Sequence, residues 1–203
     1  MALSIRLSDL ELLDAVRDFA LDHAHPDVAR FHDAMRDWGD DWCAVEASYL
    51  PAVDYLDAAI ADAEPPAREL LSLFARHRHA LRWEQSYRRE DGLVPQAMLD
   101  GYGFAEIIGM RGPFVSERIR AGIGLWGPGI DYPVHHHQAE EVYVPLAGAA
   151  EFVLGDDEPR VRQGGDVVYV PSQLPHGFRT GDRCLAVYYL WQAGDLRQRS
   201  TFE

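Results

Sequence analysis

The sequence predicts an α+β fold that is mainly β, in which an N-terminal helical region (residues 1–100) packs on a C-terminal β-barrel (residues 101–203). Before about residue 100, apolar residues recur at the three- and four-residue spacing of amphipathic helices. After that point, short runs rich in Val, Ile, Tyr and Phe alternate with Gly and Pro. Evenly spaced short strands with frequent turns are typical of a closed double-sheet barrel, the jelly roll or double-stranded β-helix.

Four helices are predicted in the first region. Ser8 is expected to cap the first helix and Pro26 to open the second. Residues 49–60 are predicted as the third helix, and a break at residues 64–66 precedes the fourth. The apolar positions of the first, second and fourth helices are Leu10, Leu13, Val16 and Phe19, then Val28, Phe31 and Met35, then Leu70, Leu71, Phe74 and Leu81. These helices contain no metal-binding spacing, so we expect them to cap the barrel, to form a dimer surface, or both.

Six longer runs after residue 100 are predicted as strands. They span residues 104–108, 116–125, 141–145, 150–154, 166–170 and 184–191. Gly148 is predicted to lie in a tight hairpin, and residues 155–157 and 164–165 have the composition of turns.

Composition excludes several classes of function. The 19 basic residues, all of them Arg, are outnumbered by 33 Asp and Glu, and a net charge of −14 argues against nucleic acid as a partner. The absence of lysine removes Schiff-base chemistry. Cys43 and Cys184 are far apart and in no metal-binding pattern, which fits a reducing cytoplasm.

The chain start and the hydropathy pattern indicate where the protein acts. The first residues show no cationic stretch followed by an apolar core, and no apolar run reaches membrane-spanning length. We therefore expect a cytoplasmic protein with a small-molecule substrate, without a membrane or nucleic-acid partner, and with a homodimer as one option.

Four residues have the spacing of a metal site, namely His135, His137, Glu141 and His176. Alternate side chains share a face of a strand, so His135 and His137 point the same way and Glu141 can join them after a short bend. His176 follows the turn-forming residues 171–175 and is expected at the start of another strand. Imidazoles and a carboxylate suit one divalent transition metal ion, Fe, Zn, Mn, Ni or Co. Three firm ligands suffice, so the role of His135 stays open.

Glycine and proline residues frame both parts of this pattern. A histidine tract alone is weak evidence for a metal site, but the framed, two-part pattern is typical of the cupin fold. Gln173 and Thr180 depart from the general cupin pattern, which has glycine at the first position and often asparagine at the second. The framing residues are Gly129, Gly148, Gly165 and Pro171.

Tyr143 lies two residues after Glu141, on the same face of the predicted strand. A nearby divalent cation favours the anionic form of a phenol, which turns a group with an ordinary pKa of about 10 into a usable base. Tyr143 is therefore a candidate catalytic base, and packing inside the barrel is the alternative role.

These residues resemble the cupin-type dimethylsulfoniopropionate (DMSP) lyases of marine bacteria. The resemblance is loose over the helical half and closer from about residue 126 to residue 191. It rests on the His-x-His-x3-Glu-x-Tyr run of residues 135–143 and on the later His176. The resemblance implies that Tyr143 takes part in metal contact and proton abstraction, that Tyr132 is a second pocket tyrosine, and that Trp191 is an aromatic near the end of the barrel.

The resemblance also implies an activity, a carbon–sulfur lyase that converts DMSP to dimethyl sulfide and acrylate by β-elimination. The substrate carboxylate would bind the metal while Tyr143 or Tyr132 removes the adjacent proton. The sulfonium needs a cation-tolerant wall, and faces of Trp191, Tyr189, Tyr132 or Trp126 offer roughly 0.5–2 kcal/mol per good contact.

Two other functions stay open. An Fe(II)-dependent cupin dioxygenase is the first, because a His and Glu site with open positions also binds O2. A non-catalytic metal cupin that binds a small ligand is the second, and it would normally act with a DNA-binding or signalling domain. The Arg-rich residues 76–78 and 88–89 form no convincing helix-turn-helix.

Overall fold

The computed structural model describes residues 5–36 and 41–202, so residues 1–4, 37–40 and 203 of the two predicted regions lie outside the described residues. The helices in these ranges all precede the main strands. They are α1 (Leu7–Leu21), α2 (Pro26–Ala29), α3 (His32–Arg36), α4 (Leu56–Asp62), α5 (Ala67–Arg76) and α6 (Gln96–Gly101), with 3₁₀ turns at Pro51–Tyr55 and Arg89–Asp91.

The strands form two antiparallel sheets. They are β1 (Trp83–Glu84), β2 (Tyr102–Ile108), β3 (Ile119–Trp126), β4 (Asp131–His136), β5 (Glu140–Ala147), β6 (Ala149–Leu154), β7 (Arg160–Gln163), β8 (Val168–Val170), β9 (His176–Thr180), β10 (Leu185–Gln192) and β11 (Thr201–Phe202). The six-stranded sheet has the order β1-β2-β3-β10-β5-β8, and the five-stranded sheet has the order β11-β4-β9-β6-β7. The predicted α+β fold with a jelly-roll barrel is confirmed.

Two apolar clusters lie on the two faces of the six-stranded sheet. The outer cluster joins helical residues such as Leu12 and Leu71 to the sheet, and the inner cluster fills the barrel. Strand β10 shows the alternation, because Tyr188 belongs to the outer cluster and Tyr189 to the inner one. The Tyr188 hydroxyl donates to the Val16 carbonyl in α1 at 2.8 Å. The helices therefore cover one sheet face and leave the barrel interior to the site.

The first predicted helix forms, but its predicted cap is wrong. Helix α1 begins at Leu7, and the preceding Arg6 makes no side-chain cap; its Nε donates to Asp9 Oδ2 at 2.9 Å. Leu10 is 39% exposed, whereas Leu12 is fully buried. The reason is the direction of packing, since α1 contacts α3, α5 and β2 with the face that carries Leu12, Leu13 and Val16.

The other helices start near their predicted positions and differ in extent. Pro26 does open α2, but the chain turns after Ala29 and the second helix is split into α2 and α3. The third helix begins as the 3₁₀ turn Pro51–Tyr55 and continues as α4. Leu81 is buried beyond the end of α5 rather than within it.

Strands without a predicted counterpart are short or lie at sheet edges. Strand β7 is a polar edge strand, and β1 and β11 have two residues each, so none carries an apolar run that would mark it. Strand β3 begins at Ile119, three residues later than expected, because Ser116 Oγ accepts the N–H groups of Arg118 and Ile119 in a turn. The domain boundary near residue 100 stays a prediction. Among the described residues, none of the helices is both long and apolar enough to cross a bilayer.

Candidate metal centre

Three histidines meet inside the barrel. His135 lies in β4, His137 follows the end of that strand, and His176 begins β9, which pairs with β4 through His135 and His176. One nitrogen from each ring can be chosen so that all three lie within 4.8 Å of one another. All three side chains are buried. The local reason is the antiparallel pairing of β4 with β9, which brings residues 41 positions apart side by side.

Backbone carbonyls orient each of these rings. The Nδ1 atoms of His135, His137 and His176 lie 2.8, 2.9 and 2.9 Å from the carbonyl oxygens of residues 133, 139 and 174. A carbonyl only accepts, so each Nδ1 carries a proton, and Nε2 is the nitrogen that each ring turns toward the centre of the cluster. Nε2 of His135 and of His176 is buried without a hydrogen-bond partner among the described residues. Such atoms call for an unseen partner, and a metal ion fits this donor set.

Glu141 adds a carboxylate from β5. Its Oε2 lies 3.0 Å from His137 Nε2 and 3.5 Å from His176 Nε2. Burial raises the pKa of the Glu141 carboxyl, but the close contacts with the His137 and His176 rings outweigh burial and bring that pKa to about 2. Burial and the neighbouring His176 lower the pKa of His135 to about 3. Near neutral pH the cluster thus holds a carboxylate and a neutral His135, the forms that bind a cation.

His136 points away from this cluster, as strand alternation requires. Its Nδ1 lies 2.8 Å from Gln173 Oε1. Gln173 has a φ of +65°, the left-handed conformation that glycine adopts most easily, and its N–H donates to the His137 carbonyl at 2.8 Å. The departure from the general cupin pattern is thus accommodated by a strained glutamine that ties the 171–175 turn to the histidine run.

A pocket adjoins the cluster and contains the other residues predicted for the site. Its cavity volume is about 60 Å³. The predicted residues that line it are Glu141, Tyr143, Tyr132, Trp126, Tyr189 and Trp191. The structure therefore brings the predicted catalytic and substrate-binding residues together in one pocket, and of the four predicted metal ligands Glu141 lines it.

Two aromatic rings stack directly on the cluster. The Tyr132 ring lies 4.4 Å from the His135 ring, and the Trp191 ring lies 4.1 Å from the His137 ring. Burial raises the pKa of both Tyr132 and Tyr143 well above the usual phenol value, and the Glu141 carboxylate raises that of Tyr143 further. The protein surroundings alone keep both phenols neutral near neutral pH, so a phenolate at either position requires a nearby cation.

Six further pocket residues were not predicted from the sequence. Of these six, Arg120 could have been predicted from the sequence. It lies on the same strand face as Trp126 and is a charged residue in an otherwise apolar run. Tyr102 and Phe104 lie in the first half of β2, and the remaining three lie outside the helices and strands, where no local pattern marks them. The unpredicted residues are Ser86, Tyr87, Tyr102, Phe104, Arg120 and Ser200.

Comparisons with known proteins converge on one family. The family model of dimethylsulfoniopropionate lyases matches residues 27–187. Dimethylsulfoniopropionate lyase DddQ of Ruegeria pomeroyi is 42% identical over 98 residues, which cover 48% of this chain and 48% of DddQ. Putative dimethylsulfoniopropionate lyase DddL of Cereibacter sphaeroides is 34% identical over 120 residues, which cover 58% of this chain and 48% of DddL. The matches thus span about half the length of these curated relatives.

Solved structures of DMSP lyases superpose on nearly the whole of this chain. The crystal structure of DMSP lyase DddQ from Ruegeria pomeroyi superposes with a TM-score of 0.82 and 28% identity, covering 98% of this chain and 97% of DddQ. A chain from the crystal structures of the DMSP lyases RdDddP and RnDddQII gives a TM-score of 0.83 and 27% identity, with 97% of both chains covered.

Proposed function

The chain belongs to the dimethylsulfoniopropionate lyase family, and we propose that it is a metal-dependent carbon–sulfur lyase that converts DMSP to dimethyl sulfide and acrylate by β-elimination. The observation that supports the proposal most strongly is that the histidine cluster and the aromatic pocket lie next to each other. A buried cluster of metal-binding side chains opens on a pocket that holds two tyrosines and several aromatic walls. A small zwitterion with a carboxylate and a sulfonium finds complementary groups in such a pocket.

His135, His137, Glu141 and His176 would hold the metal. Their buried nitrogens and carboxylate oxygen suit an ion of Fe, Zn, Mn, Ni or Co. A bound divalent ion would supply Lewis acidity that makes the hydrogen beside the substrate carboxylate more acidic. The chain itself buries these side chains, and burial strengthens the charge interactions among them.

Tyr143 and Tyr132 are the proposed bases. One phenolate oxygen takes the proton from the carbon next to the carboxylate. The C–H electron pair forms the new double bond, and the C–S bond breaks with its pair on sulfur, so neutral dimethyl sulfide leaves and acrylate remains. The Tyr132 hydroxyl forms a hydrogen bond with the Tyr87 hydroxyl, at an oxygen–oxygen distance of 3.1 Å. Tyr143 interacts with the carboxylate of Glu141, which lies two residues earlier in β5.

Trp191, Tyr189 and Trp126 are the proposed substrate-binding surface. All three are inward-facing residues of neighbouring strands β3 and β10 and line the pocket. Their faces offer an apolar wall with negative quadrupole potential, which suits the two methyl groups and the positive charge of a sulfonium. The homodimer and the cytoplasmic location remain predictions.

Headspace gas chromatography tests the proposal directly. The protein is stripped with a chelator, reloaded separately with each of the five metals, and incubated with DMSP. We expect dimethyl sulfide with at least one metal and only background release from the stripped protein. The absence of dimethyl sulfide with every metal, in protein shown by elemental analysis to be loaded, would contradict the proposed activity.

A further inference from the structure

His137 is the cluster histidine that lies outside the paired strands. His135 and His176 pair with each other across β4 and β9, whereas His137 lies in the bend between β4 and β5. Outside the cluster, its ring contacts the Ala139 carbonyl through Nδ1 and the face of the Trp191 ring, at a centroid distance of 4.1 Å and an interplanar angle of 30°. The orientation of His137 therefore depends in part on what holds Trp191 in place.

Trp191 lies near the end of β10, between two charged residues of the neighbouring strands. Its register partner in β3 is Arg120, and its register partner in β5 is Glu141. Side chains of directly paired residues point to the same face of a sheet and interact across the strands. The guanidinium carbon of Arg120 lies 4.9 Å from the Trp191 ring centroid. This row of side chains thus leads from Arg120 through Trp191 to the metal cluster.

A buried ion pair fixes the guanidinium in turn. Arg120 Nε donates to Glu106 Oε2 at 2.5 Å, and Arg120 Nη1 donates to the Leu196 carbonyl at 3.3 Å. The other Glu106 oxygen accepts the Arg111 N–H at 2.6 Å. Gly109 makes room for the pair, because a Cβ there would lie 2.4 Å from Glu106 Oε1 and 2.9 Å from Arg120 Cγ. The guanidinium that contacts Trp191 therefore has a defined position.

Stability alone does not account for this ion pair. The side chain of Arg120 is 9% exposed and that of Glu106 is fully buried. Moving two charges out of water costs about as much free energy as their attraction returns, and apolar side chains of similar size often stabilise a fold equally well. A planar guanidinium held by hydrogen bonds does give a rigid surface for an aromatic ring. These properties suit a residue whose task is to hold a ring in position.

We propose that Glu106 and Arg120 are positioning residues, which hold the Trp191 ring against His137 and so fix the His137 ring for metal binding. Neither member of the pair is a metal ligand. The benefit to the metal site rests on the proposed function, because a ligand ring that is already oriented binds an ion more tightly. The contact between Trp191 and His137 does not depend on that function.

NMR of metal-free protein tests the contact directly. Protons above the face of an aromatic ring resonate upfield, so the ring signals of isotope-labelled histidine report whether His137 remains stacked on Trp191. The charge-free variant Glu106→Gln/Arg120→Gln removes both charges together and leaves no unpaired buried charge. We expect its His137 signals to move toward their positions in Trp191→Leu. The signals of His136, which points away from the cluster, should stay in place.

Cobalt binding provides a second readout. In competition with a chelator, the charge-free variant should bind Co(II) roughly tenfold more weakly than wild type, the loss typical of removing support from a ligand. The visible absorption of bound Co(II) should change as well, because it depends on ligand geometry. If Arg120 acts through Trp191, adding the charge-free change to Trp191→Leu should weaken binding no further. Additive losses in the combined variant would contradict this route.

Control variants separate positioning from general damage. Arg111→Gln removes a neighbouring guanidinium that lies against Phe104, and it should change neither the His137 signals nor the Co(II) affinity. Trp191→Phe keeps a flat ring and should stay closer to wild type than Trp191→Leu in both readouts. Urea unfolding verifies that each variant is folded. Arg120→Lys keeps the charge but loses the planar fork, and it replaces the charge-free variant if that protein fails to fold, with the same changes expected.

Unmoved His137 signals or an unchanged Co(II) affinity in the folded charge-free variant would overturn the proposal. The proposed function can fail separately. Wild-type protein that shows the expected NMR behaviour but takes up no metal, or releases no dimethyl sulfide from DMSP, would contradict the proposed function and leave the positioning of His137 standing.

Discussion

Hydrogen bonds from Nδ1 to backbone carbonyls decide which nitrogen of each cluster histidine faces the centre. Rings fixed in this way need no reorganisation to accept a metal, which raises affinity. Replacing one ligand should therefore cost metal affinity more than stability. We expect His176→Ala to remain folded and to lose most of its bound metal in elemental analysis.

His136 provides the matched control for this variant, because it lies in the same histidine run, points away from the cluster and contacts Gln173. His136→Ala should retain wild-type metal content. Full metal occupancy in the His176 variant, or equal loss in both, would contradict the assignment of the ligands.

The tyrosine base can be identified by removing a single oxygen. Tyr143→Phe and Tyr132→Phe keep the rings that pack in the barrel, so the free energy of unfolding should change little. The variant that lacks the base should turn over at least about a hundredfold more slowly and should stop exchanging the hydrogen next to the substrate carboxylate with deuterated solvent. Exchange followed by NMR separates the base from a residue that only contacts the metal. Near-wild-type activity in both variants would exclude phenolate catalysis.

Protonation of the cluster should make the metal-free fold sensitive to acid. The pKa of His135 is about 3 in the folded protein against 6.5 for the free group, and that of Glu141 is about 2 against 4.5. Both folded values are depressed, so the unfolded chain binds protons first and stability is lost as pH falls from about 6.5 toward 2. Urea unfolding of metal-free protein should show this fall. The His135→Gln variant should lose less stability than wild type between about pH 6.5 and 4.5, and parallel curves for the two proteins would refute the assignment.

Strand alternation made much of the site readable from the sequence. The common direction of His135 and His137, the shared face of Tyr189 and Trp191, and the opposite face of Tyr188 all follow from a two-residue period, and each is observed. The start positions and caps of the helices were harder to predict from the sequence. The Ser8 cap failed because local propensity at a helix start yields to the direction in which the helix packs.

Glycines at strand turns allow a prediction at the level of the hairpin. Gly148 has a φ of +75° and an added Cβ would lie 2.0 Å from the Cys184 carbonyl oxygen, whereas Gly165 has a φ of +89° and open space around it. Each alanine variant should lose about 1–2 kcal/mol for the left-handed backbone. Gly148→Ala should lose a further ~1–3 kcal/mol because backbone must move to relieve the clash. Urea denaturation of both variants measures the difference, and equal losses would show that the close approach is not maintained.

The helical half contributes to the site as well as to the fold. Tyr87 precedes the predicted boundary and yet hydrogen bonds with Tyr132 inside the pocket. Phe202, near the other end of the chain, packs its ring 5.1 Å from Tyr87 and 5.5 Å from His135. Such contacts join residues far apart in sequence and leave no local pattern. For this reason the cluster of His135, His137 and His176 could be predicted from spacing, whereas the pocket residues contributed by distant loops could not.

The elimination proposed for this barrel needs a metal and no oxidant. An Fe(II)-dependent dioxygenase on the same ligands would need O2. The most direct measurement is turnover of DMSP by metal-loaded protein under strict anaerobiosis, with dimethyl sulfide and acrylate quantified together. We predict equal amounts of both products at the same rate as in air. Turnover that stops without O2, or oxygen consumption that accompanies product formation in air, would contradict the account.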